Sequence, residues 1–134
     1  MSLLEVKNLH TYFKTRKGIV KAVNDVSYTL DEKKTVGIVG ESGSGKSVSA
    51  MSILKLLDGN GYIAGGEVLF EGTDLTKLTE QQMYDIRGNK ISVIFQEPMT
   101  SLNPVMKIGD QVAECVLQHE KISKKEALKK AEDM

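Results

Sequence analysis

Eight consecutive residues carry the clearest chemistry in this chain: Gly40-Glu41-Ser42-Gly43-Ser44-Gly45-Lys46-Ser47. They follow the pattern G-x-x-x-x-G-K-[ST] of a phosphate-cradling loop, which implies a nucleoside triphosphate carried with Mg2+. The chemistry is largely that of the backbone, because successive N–H groups must point inward at anionic oxygens. Gly40, Gly43 and Gly45 permit the tight and left-handed dihedrals this needs, and they hold no Cβ against the phosphate. Glu41, Ser42 and Ser44 supply the intervening amides. Lys46 would reach the β- and γ-phosphates as a point charge, and Ser47 would set a hydroxyl on the magnesium ion. Val48 follows at the start of an expected helix, whose positive dipole end would lie beneath the phosphates.

Such a loop must be held between a strand and a helix, and the flanks supply both. Thr35-Val36-Gly37-Ile38-Val39 is a short β-branched run, which predicts a buried parallel strand. From 48 to 57, Met51, Ile53, Leu54, Leu56 and Leu57 give an apolar helical face, and Gly59 and Gly61 supply the stop.

The remaining elements follow from periodicity and turn chemistry. Residues 3–9 and 20–30 alternate as strands, with Thr15-Arg16-Lys17-Gly18 between them as a hairpin turn. Gly65-Gly66 opens a strand over 67–70 that Glu71-Gly72 closes. Thr79-Glu80-Gln81-Gln82 is a capping box, predicting a short helix over 80–87 that ends at Gly88. Residues 91–95 predict a strand that leads into a polar loop over 96–104. Ile108, Val112 and Val116 then recur at helical spacing. Ser123-Lys124-Lys125-Glu126 is a second capping box, and Ala127, Leu128, Ala131 and Met134 start a helical stripe within which the chain stops.

Bulk properties exclude several classes. The 134 residues suffice for one domain with a core. Lys plus Arg equals Asp plus Glu at 18 each, so there is no global basic field for nucleic acid or an anionic membrane. No apolar run approaches the ~18–20 residues of a membrane span, and residues 1–10 lack a signal peptide's apolar core. Cys115 is the single cysteine, so an intrachain disulfide is excluded; it reads as a small buried hydrophobe rather than a nucleophile. His10 and His119 lack metal-ligand spacing and read as structural or surface histidines.

The stretch Phe95-Gln96-Glu97-Pro98-Met99-Thr100-Ser101-Leu102-Asn103-Pro104 resembles ATP-binding-cassette (ABC) ATPases, and more narrowly the ATP-binding subunits of oligopeptide, dipeptide and nickel importers. In that family a strand ending in Phe-Gln, then Glu-Pro and Ser-Leu-Asn-Pro, forms the Q-loop. The Glu-Ser-Gly-Ser core of the phosphate loop is similar to the same subgroup. The resemblance implies an α/β phosphate-loop NTPase core, N-terminal half, with an antiparallel β subdomain and the start of a helical subdomain. Its segments would be 1–34, 35–95 and 96–134. Gln96 would contact magnesium and the attacking water, its amide accepting from water and donating to phosphate, and would join Lys46 as a catalytic residue. Phe13, with Tyr12 as the neighbouring candidate, would stack on adenine. One departure is Lys33-Lys34, where the family usually has Gly-Glu.

The resemblance also implies partners: a second ATP-binding subunit and integral-membrane permease subunits at the cytoplasmic face of the membrane, with no nucleic acid. The family's Leu-Ser-Gly-Gly-Gln signature, the Asp-Glu strand end and the switch histidine are not found in these 134 residues. The chain therefore reads as the N-terminal part of a longer subunit, expected to bind nucleotide weakly and not to turn over alone. The alternatives are the N-terminal half of a DNA-repair or chromosome-type ABC ATPase, where coiled-coil heptads would follow, and a non-hydrolysing nucleotide-binding module.

Overall fold

The computed structural model of the chain describes residues 2–134. It divides into two compact units, the first running to Met83 and the second from Tyr84 to Met134.

The first unit is built on a four-stranded antiparallel sheet in the order β2-β1-β3-β4. Strand β1 is Ser2–Thr15, β2 is Gly18–Asp31, β3 is Gly61–Phe70 and β4 is Thr73–Asp74. The first hairpin closes where Thr15 pairs with Gly18, and Thr15 Oγ1 donates to the Gly18 carbonyl at 2.8 Å. Alternation sets the inner face. Leu4 faces Phe70 and Val6 faces Val68 across β1 and β3, and all four are buried. Leu9, Val23, Leu54, Leu75 and Met83 complete this core. Burying each of these side chains contributes roughly 1.5–3 kcal/mol.

The strands run longer than alternation indicates, because bulges interrupt it. Asn8 (φ 47°) and Asp25 (φ 60°) both leave the extended region, and Asn8 Nδ2 donates to Asp25 Oδ1 at 2.8 Å. Short polar side chains tolerate that conformation best. On the other side of β1, Gly66 has φ 91°, and a Cβ there would stand 2.3 Å from the Asn8 carbonyl oxygen. Only glycine fits where the bulged backbone of β1 comes this close.

Helix α1, Lys46–Ile53, packs on β1 and β2. Its anchor is polar and fully buried: Ser52 Oγ donates to the Val48 carbonyl at 2.6 Å, so Thr11 Oγ1 donates in turn to Ser52 Oγ at 2.7 Å. The helix is shorter than the apolar pattern implied, ending at Ile53 with Leu54 as its cap. Asp74 orders the far edge of the sheet, accepting from Thr76 N at 3.0 Å, from Thr76 Oγ1 at 2.7 Å and from Val68 N at 3.4 Å, with Lys77 at 2.9 Å.

Two expected strands are not formed. Residues 35–39 and 92–95 have no strand partner among the described residues, and only an isolated bridge joins Arg87 to Ile91. Their side chains are correspondingly bare, with Val39 94% and Ile94 96% exposed. Apolar β-branched composition makes a segment fit for a sheet, but the hydrogen bonds of a strand belong to a pair.

Helix α2, Glu80–Ile86, carries the expected capping box. Gln82 N donates to Thr79 Oγ1 at 3.3 Å, and Thr79 N donates to Gln82 Oε1 at 2.9 Å. Gly88 ends it with φ 76°. In the second unit α3, Ile108–His119, packs on α4, Lys124–Asp133. Ala113 and Ala127 are their buried positions, small enough for close approach, and Lys130 pairs with Glu120. The Ser123 capping box of α4 is present in both halves. Cys115, expected to be buried, is exposed: it lies outside the stripe of α3 that holds Val112, Ala113 and Val116.

Candidate functional site

Residues 34–41 run in irregular backbone to the loop, and a turn closes when Ser44 N donates to the Glu41 carbonyl at 3.1 Å. Gly43 (φ 78°) and Gly45 (φ 94°) then bring the chain into α1. Gly45 is required twice over. It holds the left-handed position that caps the helix, and a Cβ on it would stand 2.4 Å from the Ala22 carbonyl oxygen of β2. The loop therefore lies hard against the sheet that Thr11 and Ser52 fix to the same helix.

The loop is rich in unused donors. Across residues 42–48, only Ser44 N has an acceptor among the described residues; the first helical bond is Ser49 N to the Gly45 carbonyl at 2.9 Å. A helix start with free amides attracts anions. Lys46 lies across the loop, its ammonium donating to the carbonyls of Gly40 and Glu41, both at 2.7 Å, and to Ser44 Oγ at 3.4 Å. All three protons of the ammonium are thus held by acceptors weaker than a phosphate oxygen. Ser47 is exposed in the first turn of α1.

These groups suit a polyphosphate with magnesium. The described residues contain no cluster of three or more His, Cys, Asp or Glu able to hold a metal ion. Magnesium does not need one, since it binds through few protein ligands together with substrate phosphates. The exposed Ser47 hydroxyl is of the type that could serve as such a ligand.

Sequence reasoning missed one wall of this site. Val20, Lys21 and Ala22 of β2 face the loop and the start of α1 across a groove of about 440 Å³. The hairpin register places them there, and single-sequence patterning did not reveal it. Phe13 is Val20's partner in β1, half-buried, with its ring packed on Gly61. Tyr12 shares a row with Lys21, whose ammonium lies 5.6 Å from its ring; Tyr62 meets it edge-on at 6.2 Å, and its hydroxyl donates to Asn24 at 3.3 Å. A second cleft, about 670 Å³, opens between β2 and residues 36–40, lined by Val23, Val26, Tyr28, Val36, Ile38 and Ser49 among others.

Gln96 belongs to the second unit. It is exposed in irregular backbone, followed by a single 3-10 turn over Pro98–Thr100. The turn at Lys33-Lys34 does form: Lys34 N donates to the Asp31 carbonyl at 3.2 Å, and Lys33 adopts φ 59°.

Comparison with known proteins gives this geometry a family. Residues 23–134 match the ABC transporter family model. The chain is 53% identical over 133 residues to the oligopeptide transport ATP-binding protein OppD of Bacillus subtilis (strain 168), covering 98% of this chain and 37% of that protein. It is 52% identical to the dipeptide transport ATP-binding protein DppD of Lactococcus lactis subsp. cremoris (strain MG1363), covering 96% of this chain and 37% of that one. The chain thus spans less than half the length of these relatives. A dimeric ATP-binding cassette, MJ0796, solved in a post-hydrolysis state bound to ADP and Pi, superposes with a TM-score of 0.81 at 26% identity, covering 97% of this chain and 54% of that one. The fold is that of the N-terminal part of such a cassette, and the chain belongs to the ABC transporter ATP-binding family.

Proposed function

We propose that this chain is the nucleotide-gripping part of the ATP-binding subunit of an importer for oligopeptides or dipeptides. The observation that carries the reading is the run of backbone amides over residues 42–48, all but that of Ser44 unused, beside Lys46. On nucleotide binding, the Lys46 ammonium exchanges the carbonyls of Gly40 and Glu41 for the β- and γ-phosphates. The amides of Glu41, Ser42, Gly43, Ser44, Gly45, Ser47 and Val48 face the phosphate oxygens, and the Ser47 hydroxyl holds the metal. Magnesium, when bound, neutralises charge on the β- and γ-oxygens. Phe13, or Tyr12 beside it, takes the adenine ring, and Gln96 orients water and reports the γ-phosphate.

The group that activates water comes from outside these 134 residues. General-base catalysis supplies roughly 10²–10⁴-fold, so this stretch alone binds nucleotide without appreciable turnover. In the whole protein, two cassettes close on ATP and reopen after hydrolysis, driving permease subunits between two access states at the cytoplasmic face of the membrane. The Q-loop and the segment after it, up to about Gln118, face the permease, chiefly through the exposed apolar segment 94–108. No helix among the described residues is long and apolar enough to cross a membrane, which fits a peripheral subunit. Two short helices, α3 and α4, folded on each other favour this reading over a DNA-repair ATPase with a long coiled coil.

The test is uptake of a labelled oligopeptide by vesicles that hold the complete transporter. Lys46→Ala is expected to abolish ATP-dependent uptake. Uptake at the wild-type rate in that variant would contradict the proposal.

A further inference from the structure

The segment after Gln96 combines two properties that rarely go together: its apolar side chains are bare, yet its backbone is tied down. Met99 is 91% and Val105 87% exposed. Thr100 N and Thr100 Oγ1 both donate to the Glu97 carbonyl, at 3.3 and 2.9 Å, and Ser101 Oγ donates to the Pro98 carbonyl at 2.6 Å. The second half of the segment is held from α3 by one side chain. Gln111 Oε1 accepts from Asn103 N at 2.7 Å; its Nε2 donates to the Asn103 carbonyl at 2.9 Å and to the Met106 carbonyl at 3.0 Å. One N–H and two carbonyls admit only one orientation of the carboxamide, and both of its N–H protons are used. Asn103 Oδ1 then accepts from Val105 N at 3.1 Å, closing the turn that carries Val105 outward.

We propose that Gln111 is a positioning residue for coupling. Its carboxamide locks the 103–106 turn onto α3, so that Met99 and Val105 meet the permease already ordered. This rests on the reading above that segment 94–108 faces the permease. A loop ordered before contact does not lose that freedom on docking, and affinity rises accordingly. Gln111 touches neither nucleotide nor reacting atoms in this account; it acts through the turn.

The experiment uses the complete subunit with its permease in proteoliposomes, and the detached complete subunit as control. Gln111→Leu removes all three bonds. Gln111→Glu keeps the acceptor for Asn103 N but sets a carboxylate against two carbonyls, and a glutamate in the first turn of a helix favours the helix. Both variants are expected to lower uptake and permease-stimulated ATPase at least about tenfold, equivalent to ~1.4 kcal/mol of docking free energy. The KM for ATP and the basal rate of the detached subunit should stay at wild-type values. Val105→Asp separates the two layers of the argument. If it uncouples while both Gln111 variants couple normally, the clamp is overturned and the docking segment stands. If none of the three uncouples, the docking segment is overturned and the clamp with it. A fall in basal ATPase or ATP affinity with Gln111→Glu would also overturn the inference, since it would make Gln111 a general structural residue.

Discussion

Val68 and Val39 are the same residue in two kinds of apolar run. Val68 lies in β3 opposite Val6 and is fully buried, whereas Val39 lies in the run entering the phosphate loop and is 94% exposed. Strand β1 pairs with β2 across a short turn and with β3 from much further along the chain, both antiparallel, and in each pair bonds and side chains are satisfied together. Residues 35–39 have the composition of a strand and no partner among the described residues. The cleft beside them also holds Ser49, whose buried hydroxyl has no hydrogen-bond partner there. Composition makes a strand possible, while a neighbour makes it one.

One substitution made twice would break the comparison most sharply. Val68→Ala is expected to lower the unfolding free energy of the chain by about 2 kcal/mol, and Val39→Ala to change it by no more than about 0.5 kcal/mol. Urea denaturation measures both. Equal losses would mean that residues 35–39 are packed as a strand after all.

Asp74 sharpens the comparison at the sheet's other end, where a charged group rather than a further strand satisfies the backbone. Burial pushes its carboxyl up, but the Thr76 hydroxyl, the Lys77 ammonium and the amides of Thr76 and Val68 outweigh this and hold it below its ordinary value of 3.8. The folded carboxyl therefore takes up its proton less readily than the unfolded one. Its contribution is complete above the ordinary value and is lost as the pH falls through the lower folded one. Asp74→Asn should lower stability by about 1 kcal/mol at neutral pH, and the gap to the parent chain should close below about pH 4. A gap constant with pH in urea titrations would count against this.

The smallest effect lies at the junction between the two regions. Lys33, at φ 59°, turns the chain from β2 into residues 35–39. Left-handed backbone costs a side-chain-bearing residue about 1–2 kcal/mol, part of which glycine loses again through its freer unfolded chain. Lys33→Gly should therefore stabilise by about 0.5–1 kcal/mol, read as a raised melting temperature. An unchanged or lowered temperature would show that the turn is unstrained.

The same contrast explains what could be read from residues alone. The phosphate loop was legible because contact with phosphate restricts residue types, and the structure shows why at Gly45, which the Ala22 carbonyl leaves no room to change. The capping boxes at Thr79 and Ser123 were legible because they are local. The true lengths of β1 and β2 were not, since the bulges at Asn8 and Asp25 depend on a cross-strand bond seventeen residues apart. Nor was the wall formed by Val20 to Ala22, which depends on hairpin register. Cys115 misled because cysteine is commonly buried, whereas its place on α3 is decided by which face meets α4.

The central claim is that the loop from Gly40 to Ser47 grips a polyphosphate through its amides and Lys46. Equilibrium titration of the 134-residue chain with MgATP tests it directly, with Lys46→Ala alongside. The account predicts saturable binding that weakens at least about tenfold in the variant. Equal affinity of the two proteins, or no binding by either at millimolar nucleotide, would contradict it.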